Sequence, residues 1–187
     1  MKKVFVNGYG SIGSRITKFI KDDPDIDVVG IGKHSSNEKV QHIINDGFSV
    51  YVPGDKIGDF KNYDISGSIE SVIDNCDLVI DASPGGNGFI NKKNIYEPKG
   101  IKAIFQGGET IFNDKSVADI LFNSRVNYAE AFDSNYVMQG SCNVTGMGRI
   151  LNPLREKYAD KLSRFDVTLV RRWADLEQTD KQTVDTI

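Results

Sequence analysis

Two short stretches of this 187-residue chain combine residue types and spacing that could do chemistry. The first is Gly8-Tyr9-Gly10-Ser11-Ile12-Gly13, a G-x-G-x-x-G pattern near the start. In such a pattern Gly8 allows a tight turn out of a strand. Gly10 removes the side chain that would keep a pyrophosphate off the backbone, and Gly13 lets the next helix pack close to the sheet. The N-terminus of that helix then offers free N–H groups and a positive dipole end. That arrangement suits a dinucleotide, provided a strand precedes the glycines and a helix follows them. The second stretch is Ser141-Cys142-Asn143, with Thr145 just beyond. The positive end of a helix favours the thiolate form of a cysteine placed there, and thiolates attack carbonyls to form covalent intermediates. Ser141, Asn143 and Thr145 supply polar groups for an oxyanion or a phosphate. A hydride acceptor beside a thiolate suggests aldehyde oxidation. The thiolate adds to the aldehyde, hydride leaves to a nicotinamide, and a nucleophile releases the resulting thioester.

The elements that must position these residues follow from periodicity. Residues 3–7 are an apolar run, followed by the glycines and then by Ile12, Ile16, Phe19 and Ile20 at helical spacing. Further strands are expected at 27–32, 48–52, 77–81, 102–105 and 136–141, and a long one at 164–172. Helices are expected at 39–45, 68–75 with Ser68 as N-cap, 87–96 and 143–158. Strands alternating with helices imply right-handed crossovers and a mostly parallel sheet. The expected fold is α/β, a Rossmann-type doubly wound parallel sheet, followed by the beginning of an α+β catalytic domain. The boundary is placed so that 1–140 form the NAD(P)-binding domain and 141–187 the incomplete second one. Glycine-rich segments follow strands at 8–13, 85–88 and 107–108, so they should gather at the carboxyl edge of the sheet.

Composition narrows the function further. The 23 basic and 26 acidic residues are interspersed and give a net charge of −3, which argues against a nucleic-acid partner. No run is long and apolar enough to span a membrane, and Asn7, Gly8 and Gly10 interrupt the opening too early for a signal peptide. The two cysteines, Cys76 and Cys142, stand far apart and no metal-binding spacing occurs, so no metal site and a reduced, cytoplasmic chain are expected. Cys76 reads as structural. At the end of the second strand, where NAD-selective folds often carry a carboxylate, stand Lys33-His34-Ser35-Ser36. Lys33 and the serines could hold a ribose 2′-phosphate, so NADP is expected to be tolerated or preferred over NAD. His34 reads as a surface histidine.

With these residues in view, the chain resembles the archaeal, type II, phosphorylating glyceraldehyde-3-phosphate dehydrogenases. The resemblance rests on VNGYGSIGSR (6–15), DASPGGNG (81–88), KAIFQGGE (102–109), SCNVTG (141–146) and VRRWAD (170–175), in family order and near-family spacing. It implies oxidation of D-glyceraldehyde 3-phosphate to 1,3-bisphosphoglycerate with NAD(P) and inorganic phosphate, by a homotetramer in central carbon metabolism. It also implies that Ser11 and Ile12 lie on the cofactor pyrophosphate, Gly108 near the nicotinamide half, and Arg172 on the cofactor. Ser141 and Asn143 would contact substrate and Cys142 would be the nucleophile. Val144 and Trp173 stand where the family usually has Thr and Ala. No counterpart of the family's later catalytic histidine is present, since the histidines are His34 and His42. The sequence is therefore expected to be part of a longer enzyme. Two alternatives stay open: a non-catalytic dinucleotide-binding module, and a semialdehyde or acyl-phosphate reductase of the same architecture.

Overall fold

The computed structural model describes residues 1–106 and 108–170. The chain divides into two compact units, Met1–Ser141 and Cys142–Ile187.

In the first unit, β1 (Lys2–Asn7) leads into α1 (Ser11–Ile20), and β2 (Ile26–Gly32) leads into α2 (Lys39–Asn45). β3 (Val50–Val52) is followed by a 3-10 segment, Gly54–Phe60, and by the two-residue β4 (Gly67–Ser68). Ser68 caps α3 (Ile69–Ile73), its side chain accepting the Ser71 N–H. β5 (Leu78–Asp81) runs into α4 (Asn87–Asn91), which continues through a π-helical turn, Lys92–Tyr96, into α5 (Glu97–Lys99). β6 (Lys102–Phe105), β7 (Ile120–Phe122) and β8 (Tyr136–Gln139) complete the unit.

The eight strands form one sheet in the order β4-β3-β2-β1-β5-β6-β8-β7, and the pairings are parallel. The order reverses at β1: the chain first winds outward through β2, β3 and β4, then returns to lay β5 on the other side. That point is where doubly wound sheets open a crevice at their carboxyl edge. Alternate residues of a strand face opposite sides of a sheet. Phe5 accordingly packs with Ile73, Val79 and Tyr96 on one face, and Val6 with Ile31, Val40 and Phe60 on the other. The two cores explain why the central strands read as continuous apolar runs.

In the second unit, α6 spans Cys142–Tyr158, with Pro153 inside it and a short 3-10 turn, Ala159–Lys161, after it. The long strand expected at 164–172 does not form over 164–170, which carry no regular structure, and 171–172 lie outside the described residues. An apolar extended segment becomes a strand only when a neighbour pairs its backbone groups, and the described residues of the second unit include no other strand to pair with 164–170. Strands β4 and β7 are additions to the sequence reading.

Candidate functional site

The last residues of three neighbouring strands lie in register. Asn7 of β1 is level with Gly32 of β2 on one side and with Asp81 of β5 on the other. Beyond them the backbone bonds continue for one more step: Gly8 N–H donates to Gly32 O at 3.0 Å and Ala82 N–H to Asn7 O at 2.8 Å. The glycine turn therefore starts at the switch point of the sheet.

Each glycine of the turn has its own reason. Gly8 has φ +111°, and a Cβ there would lie 2.7 Å from the carbonyl carbon and oxygen of Ala82 and 2.8 Å from Ser83 N. A Cβ on Gly13 would lie 1.9 Å from Gly8 O, so the first turn of α1 rests on the turn that precedes it. At Gly10 the opposite holds: no atom lies within 4 Å of where a Cβ would stand. Gly10 is the N-cap of α1, no side chain caps it, and no acidic residue occupies the first turn. Helical bonding begins with Ser14 N–H donating to Gly10 O at 3.0 Å. The N–H groups of Ser11, Ile12 and Gly13 precede that bond and have no carbonyl of the helix to donate to, at its positive end, which is how an anion site is built. A cavity of about 450 Å³ adjoins it, lined by Gly10, Ser11, Ser14, Lys18, Lys39 and His42, with Tyr9 and Asp46 at its wall. Burial, then Asp46, raises the Tyr9 phenol above its ordinary value. An apolar cavity of about 400 Å³ lies elsewhere, over Ala103, Ile104 and Val137.

Lys33 follows β2 at the same edge and is buried, with Nζ donating to Ser35 O at 2.7 Å and Ser35 Oγ at 2.6 Å. Burial, with nearby Lys39, lowers its pKa. Gly108 lies in the loop after β6 with φ +74°, and Gly107 is outside the described residues. The next residue, Glu109, accepts the Gly88 N–H at 2.9 Å, which ties this loop to the start of α4. In the second unit Cys142 opens α6 and is exposed, its Sγ 3.9 Å from Asn143 Oδ1. No acidic residue lies in the first turn of α6 to offset its positive end, while Arg155 and Lys157 in the last turn offset its negative end. Ser141 is the exposed last residue of the first unit. Arg172 lies outside the described residues. Cys76 is half-buried, and burial first, then Asp77, pushes its thiol up to about 11, as suits an inert structural cysteine.

Sequence reasoning missed a buried polar cluster beneath the glycine turn. Asp81, Asn7, Ser83, Tyr96 and Asn91 are all buried there. Tyr96 OH donates to Asp81 Oδ2 at 2.6 Å and Asn91 Nδ2 to the same oxygen at 2.9 Å, while Ser83 N–H donates to Oδ1 at 3.0 Å. Burial, with Asp81 beside it, holds the Tyr96 phenol well above its ordinary value. His34 is the correction to the surface reading. It is only partly exposed and its Nε2 lies 2.7 Å from Asn7 Oδ1, because the turn after β2 folds it back over the end of β1. The available signal was a polar residue closing each of two apolar strands, Asn7 and Asp81.

A parallel doubly wound sheet with a phosphate-type turn at its switch point defines a Rossmann-type domain. In fold it is similar to the crystal structure of aspartate semialdehyde dehydrogenase with NADP from Candida albicans, with a TM-score of 0.50 and 15% identity over 84% of this chain and 48% of that one. No family model matches the chain. Its sequence relatives include archaeal glyceraldehyde-3-phosphate dehydrogenases. It is 39% identical over 187 residues to that of Sulfolobus acidocaldarius, covering 99% of this chain and 52% of the relative. It is 38% identical over 190 residues to that of Halobacterium salinarum, covering 100% and 55%. The chain spans about half the length of the curated relatives it matches.

Proposed function

We propose that this chain is the cofactor-binding and cysteine-bearing portion of a phosphorylating glyceraldehyde-3-phosphate dehydrogenase of the archaeal type. The observation that carries the reading is similarity to such enzymes along the whole chain, joined to a turn whose open side suits a pyrophosphate. The backbone N–H groups of Ser11, Ile12 and Gly13 would hold the pyrophosphate of NADP or NAD, with Gly8 and Gly10 shaping the approach. Lys33 would pair with a 2′-phosphate by turning its ammonium from Ser35, which favours NADP. Gly108 would lie by the nicotinamide half and Arg172 on the cofactor. When bound, the nicotinamide accepts hydride.

The remaining chemistry belongs to Cys142. Its thiolate adds to the aldehyde carbon of glyceraldehyde 3-phosphate, giving a thiohemiacetal. With a bound nicotinamide to supply the hydride acceptor and a base to take the hydroxyl proton, that adduct would become a thioester held on Cys142. Inorganic phosphate then displaces the thiolate and releases 1,3-bisphosphoglycerate. Ser141 and Asn143 would hold the substrate in this sequence. The proton is assigned to no residue of this chain. A homotetramer in the cytoplasm completes the reading.

Replacement of Cys142 by Ser tests it. In the longer enzyme of which this chain is read as a part, phosphate-dependent formation of NADPH from the triose phosphate is expected to fall by more than about a thousandfold, with NADPH affinity unchanged within about threefold. Undiminished turnover by the variant would remove Cys142 as nucleophile. A wild-type preference for a semialdehyde in an aldehyde panel would move the assignment to the reductases.

A further inference from the structure

One heavily bonded, buried side chain of the first unit is not used by the cofactor reading. Asp81 is 2% exposed. Its Oδ1 accepts Ser83 N–H at 3.0 Å and Ser83 Oγ–H at 2.5 Å. Its Oδ2 accepts Tyr96 OH at 2.6 Å, Asn91 Nδ2 at 2.9 Å and, more weakly, Asn7 Nδ2 at 3.5 Å. Each of these partners is a donor and none is a cation. The two carboxyl oxygens of Asp81 offer acceptors in all these directions. Asparagine in the same place would set its amide N–H groups against other N–H groups.

What this carboxylate holds matters more than its own burial. Ser83 is bonded to it twice, through backbone and side chain, so the Ala82–Ser83 peptide cannot swing. That peptide is the surface against which Gly8 folds, at distances that leave no room for a Cβ. Gly8 O is in turn the surface under Gly13, and a Cβ on Gly13 would also stand 3.3 Å from Ala82 Cβ. The contacts run from Asp81 to Ser83 and Ala82, to Gly8, to the first turn of α1. From the other side Asn7, whose carbonyl accepts Ala82 N–H, donates its side-chain amide to Tyr96 OH at 2.8 Å.

We infer that Asp81 is a positioning residue for the phosphate turn, acting through Ser83 to fix the peptide on which Gly8 and the start of α1 rest. The inference depends on the dinucleotide-binding reading of that turn. It assigns Ser83 Oγ to the protein interior rather than to the ligand, since Ser83 is 1% exposed and its hydroxyl is bonded to Asp81.

The test removes one hydroxyl. Ser83→Ala is expected to weaken NADPH binding about tenfold, the effect of one charge-assisted hydrogen bond. In the same variant, hydrogen exchange should accelerate at residues 8–13 and stay unchanged in β3, a local response that general destabilisation would not give. Ser83→Cys, similar in volume and a weaker donor, is the second variant, with an affinity expected between the other two. A folded Ser83→Ala or Ser83→Cys protein with wild-type affinity and wild-type exchange at 8–13 overturns the inference alone. A wild-type protein that binds neither NADPH nor NADH overturns the dinucleotide reading, and the inference with it.

Discussion

At the end of β2, burial holds the His34 imidazole below its ordinary 6.5, and Lys56 and Lys33 add to that effect while Asp81 and Glu70 oppose it. The unfolded chain, with the ordinary value, takes up a proton first as pH falls. Between the folded and unfolded values the unfolded state holds more protons, so stability rises with pH through that interval and levels off above it. The contribution is therefore a loss on acidification below about 6.5. His34→Gln keeps a donor for Asn7 Oδ1 and removes the titration. Its unfolding free energy, from urea denaturation, should drop less than that of the wild type between about pH 7 and about pH 5. Equal drops would show that His34 does not titrate across folding. The same residue shows what the sequence could not reveal. The residue types at Gly8–Gly13, Lys33 and Cys142 advertise chemistry by themselves. His34, Asp81 and Tyr96 gain their roles from register: Asn7 and Asp81 are 74 positions apart, and only the pairing of β1 with β5 brings them together. Glu109, which reaches back to Gly88 across 21 positions, was unreadable for the same reason.

Among the elements, α1 offers the sharpest separation of folding from binding. At Gly13 an added Cβ would meet Gly8 O at 1.9 Å, backbone against backbone. Alanine gains roughly 1 kcal/mol in helix propensity, but forced displacement in a packed site costs about 1–3 kcal/mol and here falls on the turn itself. Gly13→Ala is therefore expected to lower both the melting temperature and NADPH affinity. At Gly10 the Cβ meets nothing and φ is −85°, so Gly10→Ala should change stability by less than about 0.5 kcal/mol. It places a methyl where the pyrophosphate would sit, and NADPH affinity should fall at least about tenfold. Thermal melts paired with NADPH fluorescence titration check both; wild-type affinity in Gly10→Ala would move the phosphate elsewhere. The main strands and the helices were legible because their apolar residues recur with periods near 2 and 3.6. The two- and three-residue strands β4 and β7 carry too few residues to show a period and owe their extension to neighbours in the ladder. Conversely, 164–170 has the composition of a strand without a partner strand among the described residues of its own unit.

For the whole molecule, the question is which residues the cradle needs in order to fold. Both buried clusters draw all their members from Met1–Ser141, and among the described residues the last buried hydrophobic one is Val137. The short edge strands β4 and β7 offer little unpaired backbone to another chain, which limits edge-to-edge association. A unit of about 140 residues of this kind buries most of the apolar surface that its unfolded chain exposes, enough for independent stability. In the second unit α6 buries only Asn152 among its described residues and has no comparable core of its own. A protein ending at Ser141 is therefore expected to unfold in one cooperative transition and to bind NADPH within about tenfold of the whole chain, the loss being the contact proposed for Arg172. It would also carry no Cys142 and so form no covalent adduct with an aldehyde substrate, which separates cofactor binding from chemistry along the chain. Circular dichroism melts and NADPH titration decide the matter. A molten fragment, or one that has lost more than about tenfold in affinity, would mean that the phosphate turn takes part of its order from residues beyond Ser141.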